Sequence, residues 1–112
     1  MAARWLERKG YEIVWRNFLC RGGELDIIAR RKDMLVFVEV KTRDNTRFGS
    51  PAEAVDAKKR RRMVLAANVF LLRYGNSPPV CRFDVIEVES GRNGAEEVSH
   101  IPDAFRPGWA ER

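Results

Sequence analysis

Two short acidic patterns stand near one another in the first half of the chain. One is Glu24-Leu25-Asp26; the other is Glu39-Val40-Lys41, which closes the apolar run Leu35-Val36-Phe37-Val38. On strands, side chains alternate, so Glu24 and Asp26 are expected on one face, as are Glu39 and Lys41. A carboxylate ending so apolar a run is costly to bury unless a divalent cation or an ammonium group compensates its charge. Hydrolytic phosphate chemistry uses such an arrangement. Asp26, Glu39 and the main-chain carbonyl of Val40 offer hard oxygen ligands for Mg²⁺ or Mn²⁺, with positions left for water and phosphate. The metal would polarise a phosphate and acidify a bound water, while Lys41 would orient that nucleophile or stabilise developing negative charge. The plain alternative is a same-face ion pair of Glu39 and Lys41 with a solvated Asp26, and an isolated E-x-K is commonly no more than that. Two neighbouring strands, an apolar approach, a one-residue acid–lysine spacing and a following helix make the combination more specific.

The elements that must position these groups follow from periodicity and punctuation. Ala2 to Lys9 places Ala3 and Leu6 on one side of a helical projection, and Gly10 supplies a stop. Tyr11 to Leu19 is β-branched and aromatic with polar interruptions, a strand pattern, and Gly22-Gly23 predicts a turn. Glu24 to Arg30 is a second strand, joined through Arg31-Lys32-Asp33 to a third over Met34 to Thr42, whose continuous apolar character predicts a central strand covered on both faces. Ser50-Pro51-Ala52-Glu53 has the form of a capping box and predicts a helix running from Ser50 to Tyr74, with Val55, Lys59, Met63, Ala66, Phe70 and Tyr74 along one stripe and Gly75 as its stop. Arg82 to Val88 is a fourth strand, Gly91 to Gly94 a turn, Val98 to Ile101 an edge strand, and Asp103-Ala104-Phe105 a last helical turn. The order is that of an α/β sandwich with a mixed sheet.

At this point the residues resemble a known family. Gly23-Glu24-Leu25-Asp26-Ile27-Ile28-Ala29 followed by Val36-Phe37-Val38-Glu39-Val40-Lys41-Thr42-Arg43 looks like the hallmark pair of the YraN-like family of bacterial proteins, which is similar to the PD-(D/E)XK nucleases, Holliday-junction resolvases among them. Gly49, Ala54-Val55, Lys59, Ala66 and Arg82-Phe83-Asp84-Val85 extend the resemblance over nearly the whole chain. It implies a restriction-endonuclease-like three-layer sandwich, with a mixed central sheet flanked by helices. It also implies Asp26 as the first acid, Glu39 as the second, Lys41 as the motif lysine, Glu24 as an accessory, and Lys59 near the phosphate. The resemblance departs at the start. Family members usually carry an earlier Gly and Glu, and in resolvase-like relatives that Glu contributes to the metal site; here Ala2-Ala3-Arg4-Trp5-Leu6 opens the match and Glu7 does not fall at the corresponding position.

Charge favours a polyanionic partner. The 112 residues hold 21 Lys and Arg against 16 Asp and Glu, a net +5, and cations near phosphates release condensed counterions. Lys58, Lys59, Arg60, Arg61 and Arg62 are consecutive, so on a helix they encircle the axis, and some must face solvent. Lys58, Lys59, Arg62 and Arg43 are the candidate nucleic-acid contacts, with Arg43 and Arg47 in a polar loop after the motif strand; a solubilising charge run is the bland alternative. Trp5, Trp15 and Trp109 are expected to pack rather than stack on bases. Cys20 and Cys81 are far apart and outside any CxxC pattern, which suggests two small apolar residues in a reducing cytoplasm. His100, the single histidine, excludes two-histidine phosphodiesterase designs and is expected at the surface; no Walker-type loop is present. Without a 20-residue apolar run or a signal core, a soluble cytoplasmic chain is expected.

Residues 1–106 are expected to form one nuclease-like domain, with 107–112 a loose tail. The functional expectation is a metal-dependent endonuclease hydrolysing DNA phosphodiester bonds, structure-selective as resolvases are, with a homodimer suggested by analogy alone. The alternative is a weak or inactive nucleic-acid-binding or protein-interaction module on the same fold.

Overall fold

The computed structural model describes residues 1–44, 56–90 and 96–107, apart from the side chains of Arg43, Asp44 and Ser90. Helix α1 (Ala2–Arg8) leads into strands β1 (Glu12–Cys20), β2 (Gly23–Arg31) and β3 (Met34–Asp44); α2 (Ala57–Leu71) runs into a 3₁₀ turn (Leu72–Tyr74), then β4 (Val80–Ser90) and β5 (Glu96–Phe105). The five strands form one sheet in the order β1-β2-β3-β4-β5. Three neighbouring pairs are antiparallel and β3–β4 is parallel, so the sheet is mixed and α2 belongs to the crossover that parallel pairing requires.

The apolar run of β3 explains its central place. Leu35 and Phe37 enter a cluster on the α2 side with Phe18, Ile28, Met63, Ala66, Phe70, Phe83 and Val85. Val36 and Val38 enter a second cluster on the α1 side with Ala3, Leu6, Ile27, Ala29 and Ile86. Both faces are covered, giving the three-layer sandwich expected. Aromatic rings fill the α2 side, with Phe18 and Phe70 at 5.5 Å edge-on and Phe37 and Phe83 at 5.3 Å, separations at which ring quadrupoles attract.

Several boundaries differ from the sequence expectation. The long helix does not run unbroken from Ser50: Asp56 is extended (ψ 176°) and caps α2, its side chain accepting from the Lys59 amide. Ser50 to Val55, Arg47 and the Gly91–Gly94 turn lie outside the described residues. Gly23 is the first residue of β2 rather than part of the turn, which consists of Arg21 and Gly22, the latter at φ 82°. Arg43 belongs to β3, in register with Glu89, not to a loop. Asp103-Ala104-Phe105 is not helical. It continues β5, with Asp103 at φ 54° and the register shifted between the Phe83↔Phe105 and Val85↔Ile101 pairs. A bulge lets Phe105 turn back into the core while keeping strand pairing, an outcome that alternation cannot anticipate.

Candidate functional site

Where the β2–β3 ladder ends, a side chain takes over a backbone role. Ile27 pairs with Val38 as the last ladder position, and the next residues along are Asp26 and Glu39. There the Val40 amide donates to Asp26 Oδ2 at 2.8 Å, so the carboxylate replaces a strand carbonyl as acceptor. Glu39 follows Leu35 and Phe37 on the α2 side of β3, and at 2% exposure it is as buried as the core.

Helix α2 lies directly against the start of β2 because Gly23 lacks a side chain. A Cβ there would come within 2.6 Å of the Arg62 carbonyl oxygen and 3.0 Å of the Ala66 amide nitrogen, closer than packed atoms tolerate. This contact brings the first turns of α2 over the acids. Lys59 Nζ lies 3.1 Å from Glu39 Oε1 and 3.4 Å from Glu24 Oε1, and Arg62 is 3.4 Å from Glu24. Lys41 Nζ is 3.8 Å from Glu39 Oε1, a looser contact, and its side chain is one-third exposed.

The two acids of Glu24-Leu25-Asp26 meet different partners. Leu25 packs with Ile28 on the α2 side, whereas Ile27 and Ala29 pack on the α1 side. Strict alternation is therefore broken between Leu25 and Ile27. The break lies beside Asn17 of β1, which takes a left-handed φ of 53° between the Arg16↔Ile27 and Phe18↔Leu25 pairs. Glu24 turns to the α2 lysine and arginine, while Asp26 bonds Val40 and lines an open cavity of about 350 Å³ with Arg16, Asn17 and Val40.

Glu39 is the unusual group. Its Oε2 is buried and has no hydrogen-bond partner. Burial first, and the charge of Asp26 second, push its carboxyl from the usual 4.5 up to about 7, against the opposing pull of Lys59. Burial also works against the Lys59 ammonium, but the hydrogen bonds and charges of Glu39 and Glu24 more than offset it and hold the lysine above its ordinary range. A carboxylate oxygen shielded from water and without a donor is a group that a hard cation could satisfy. Asp26 and Glu39, with the Val40 carbonyl, are the residues that could hold a divalent cation. Among the described residues no three His, Cys, Asp or Glu side chains gather as a ligand set, so the candidate centre rests on two carboxylates.

Of the predicted residues, Asp26, Glu39, Lys41, Glu24 and Lys59 come together. Arg62 joins them through Glu24, Lys58 is exposed on the outer side of α2, and Arg43 is placed by its backbone alone. Lys59 is turned into the acids rather than outward toward a ligand. Glu87 escaped the sequence reading: it is buried, and it pairs in register with Lys41 on the adjoining strand. Its signal was an acid inside the apolar stretch Val85-Ile86-Glu87-Val88.

A second buried acid also went unread. Asp84, fully buried, accepts from Arg82 at 2.8 and 2.7 Å and from the Asp103 amide at 2.9 Å, and lies 2.7 Å from His100 Nε2. Arg82 also donates to the Tyr11 hydroxyl at 2.7 Å. His100 is thus mostly enclosed, not a surface residue, because pairing of β5 with β4 carries it back to Asp84. Trp15 packs edge-on against Phe18 and Phe70, and Trp109 lies outside the described residues. Both cysteines are free thiols, and burial pushes Cys81 up to about 11, in keeping with inert packing. No helix among the described residues is long and apolar enough to cross a membrane.

Comparison with known proteins agrees with the motif pair. A family model described as Uncharacterised protein family UPF0102 matches residues 1–88. A UPF0102 protein of Symbiobacterium thermophilum is 50% identical over 104 residues, covering 93% of this chain and 88% of that protein. One from Hahella chejuensis is 45% identical over 104 residues, covering 93% and 82%, and one from Caldanaerobacter subterraneus is 44% identical over 107 residues, covering 94% and 88%. The match takes in both acidic strands, the capped helix and the Arg82-Phe83-Asp84 strand, and on it the chain belongs to the UPF0102 family, the YraN-like family its motifs resemble.

Proposed function

We propose that the chain is a metal-dependent nuclease that hydrolyses phosphodiester bonds of nucleic acid, with DNA as the expected substrate. The observation that carries this reading is Glu39, a buried carboxylate with an unpartnered oxygen beside Asp26, at the edge of a basic helix. A Mg²⁺ or Mn²⁺ ion held by Asp26, Glu39 and the Val40 carbonyl would supply Lewis-acid activation of the phosphate and of a water. Asp26 is pinned by the Val40 amide, so it is oriented before any ligand arrives. Lys41, partly exposed and only loosely paired, can turn its ammonium toward the attacking water or a phosphate oxygen. Lys58 and Arg61, exposed on α2, extend positive charge along the surface where a backbone would lie.

The test is an Mn²⁺-dependent cleavage assay on duplex, single-stranded and four-way DNA, and on RNA. Cleavage should vanish in Asp26→Asn and fall steeply in Lys41→Ala. Equal cutting by variants and wild type would point to a contaminant and remove the proposal. A second reading, a binding module without turnover, draws on the two-carboxylate ligand set; it predicts salt-sensitive nucleic-acid binding that survives Glu39→Gln and no cutting with any metal.

A further inference from the structure

The motif lysine and the helix lysine are not equivalent. Lys41 is 3.8 Å from Glu39 and one-third exposed, whereas Lys59 is within 3.1 Å of Glu39 and 3.4 Å of Glu24 and less exposed. Its backbone is fixed as well, because the Lys59 amide donates to the Asp56 cap at 2.9 Å. The contacts of Lys59 fall on one oxygen of Glu39, Oε1, and the other oxygen, Oε2, is the buried atom left without a partner.

We infer that Lys59 is a positioning residue for the metal centre: held by Glu24, it anchors Glu39 through Oε1 so that Oε2 stays turned toward the cation position. This rests on the metal reading above and assigns Lys59 a task other than gripping the phosphate backbone. A carboxylate free to rotate about its last torsion presents a ligand oxygen only part of the time, and a group that fixes it raises metal affinity without touching the metal. The chain Glu24–Lys59–Glu39 ties that orientation to the spacing of α2 from β2, which the Gly23 contact sets.

The experiment measures Mn²⁺ binding to the full chain at pH 7.5 by the electron-spin signal of the free ion. Lys59→Met should weaken Mn²⁺ binding about tenfold, the loss typical when a group orienting a ligand is removed, and Lys59→Arg should recover part of it. Glu24→Gln should weaken binding by a smaller factor. In metal-free buffer, the salt dependence of Lys59→Met binding to a duplex oligonucleotide should keep the wild-type slope; a phosphate contact would lower that slope by about one. Mn²⁺ affinity in Lys59→Met equal to or tighter than wild type overturns the inference, as does a slope lowered by about one with Mn²⁺ affinity intact. Wild type that fails to bind Mn²⁺ at all overturns the metal reading itself. Should Lys59→Met not fold by circular dichroism, Lys59→Gln is judged by the same outcomes.

Discussion

Asp84 and Glu39 are both buried acids, and they are treated in opposite ways. Asp84 has an arginine fork, a backbone amide and an imidazole around it. Burial pushes its carboxyl upward, but His100, Arg82 and the Asp103 amide outweigh that push and hold it below the usual range. Glu39 has one ammonium at hydrogen-bond distance, a neighbouring acid and an oxygen with nothing to bind, and it is raised to about 7. A satisfied buried charge is a structural joint: Asp84 ties β4 to β5 and, through Arg82 and Tyr11, to the start of β1. The buried Oε2 of Glu39 has no hydrogen-bond donor, and under the proposed function it is the oxygen a cation would complete.

The comparison breaks most easily at Asp84. Asp84→Ala strands Arg82 and His100 beneath the sheet and should cost about 3–5 kcal/mol, the range for removing one partner of a buried pair. Denaturant unfolding checks this, and a loss below about 1 kcal/mol would mean the joint is not structural. The acid behaviour of Asp84 follows from its lowered value: the stability it provides is present above the ordinary aspartate range and is lost as pH falls through the depressed folded value.

Glu39 should behave with the opposite sign. Its folded form keeps a proton that the unfolded chain releases between pH 4.5 and about 7, so the metal-free domain is favoured at the low end of that window and loses stability as pH rises through it. The penalty above pH 7 is on the order of 3 kcal/mol. Glu39→Gln, which mimics the protonated form, should flatten the slope and stabilise the metal-free protein at pH 8 while abolishing Mn²⁺ binding. A wild-type stability that stays level from pH 4.5 to 7 would contradict the raised carboxyl.

Gly23→Ala separates the two centres. Its new Cβ must push α2 away from β2, at about 2 kcal/mol by analogy with other overpacked sites. The shift should loosen Lys59 from Glu24 and Glu39, extending the Glu39 loss of stability to higher pH. Asp84 lies away from this contact, and the acid limb of the stability profile should be unchanged. Equal disturbance of both limbs would show that the centres are coupled through the sheet.

Elements that obey a short-range rule were legible in the sequence. The apolar run of β3, the turn at Lys32-Asp33 and the Glu39-Val40-Lys41 ending all lie in periodicity, and so does the sandwich. What escaped depends on contacts between distant parts of the chain. The apolar stripe predicts one helix from Ser50 to Tyr74, but Asp56 is extended and caps α2, which starts at Ala57. Leu25 leaves the alternation of its strand beside Asn17, so Glu24 and Asp26 part company. His100 and Asp84 are 16 positions apart, and only the pairing of β4 with β5 makes them neighbours. The acids of the candidate site could be named from their spacing, whereas the orientation of Lys59 required the helix to be set on Gly23.

The start of α2 has one further consequence. Behind the Asp56 cap its first turn holds no acid and instead carries Lys58 and Lys59, followed by Arg60 to Arg62. The macrodipole makes this end positive already, so five cations raise a local potential that works against winding of the first turn. Among the described residues, Asp56 and Glu24 are anions that restrain it. A polyanion laid across this end would relieve the same strain, so amide exchange of residues 57–62 should slow on binding it, and added salt should mimic part of that protection.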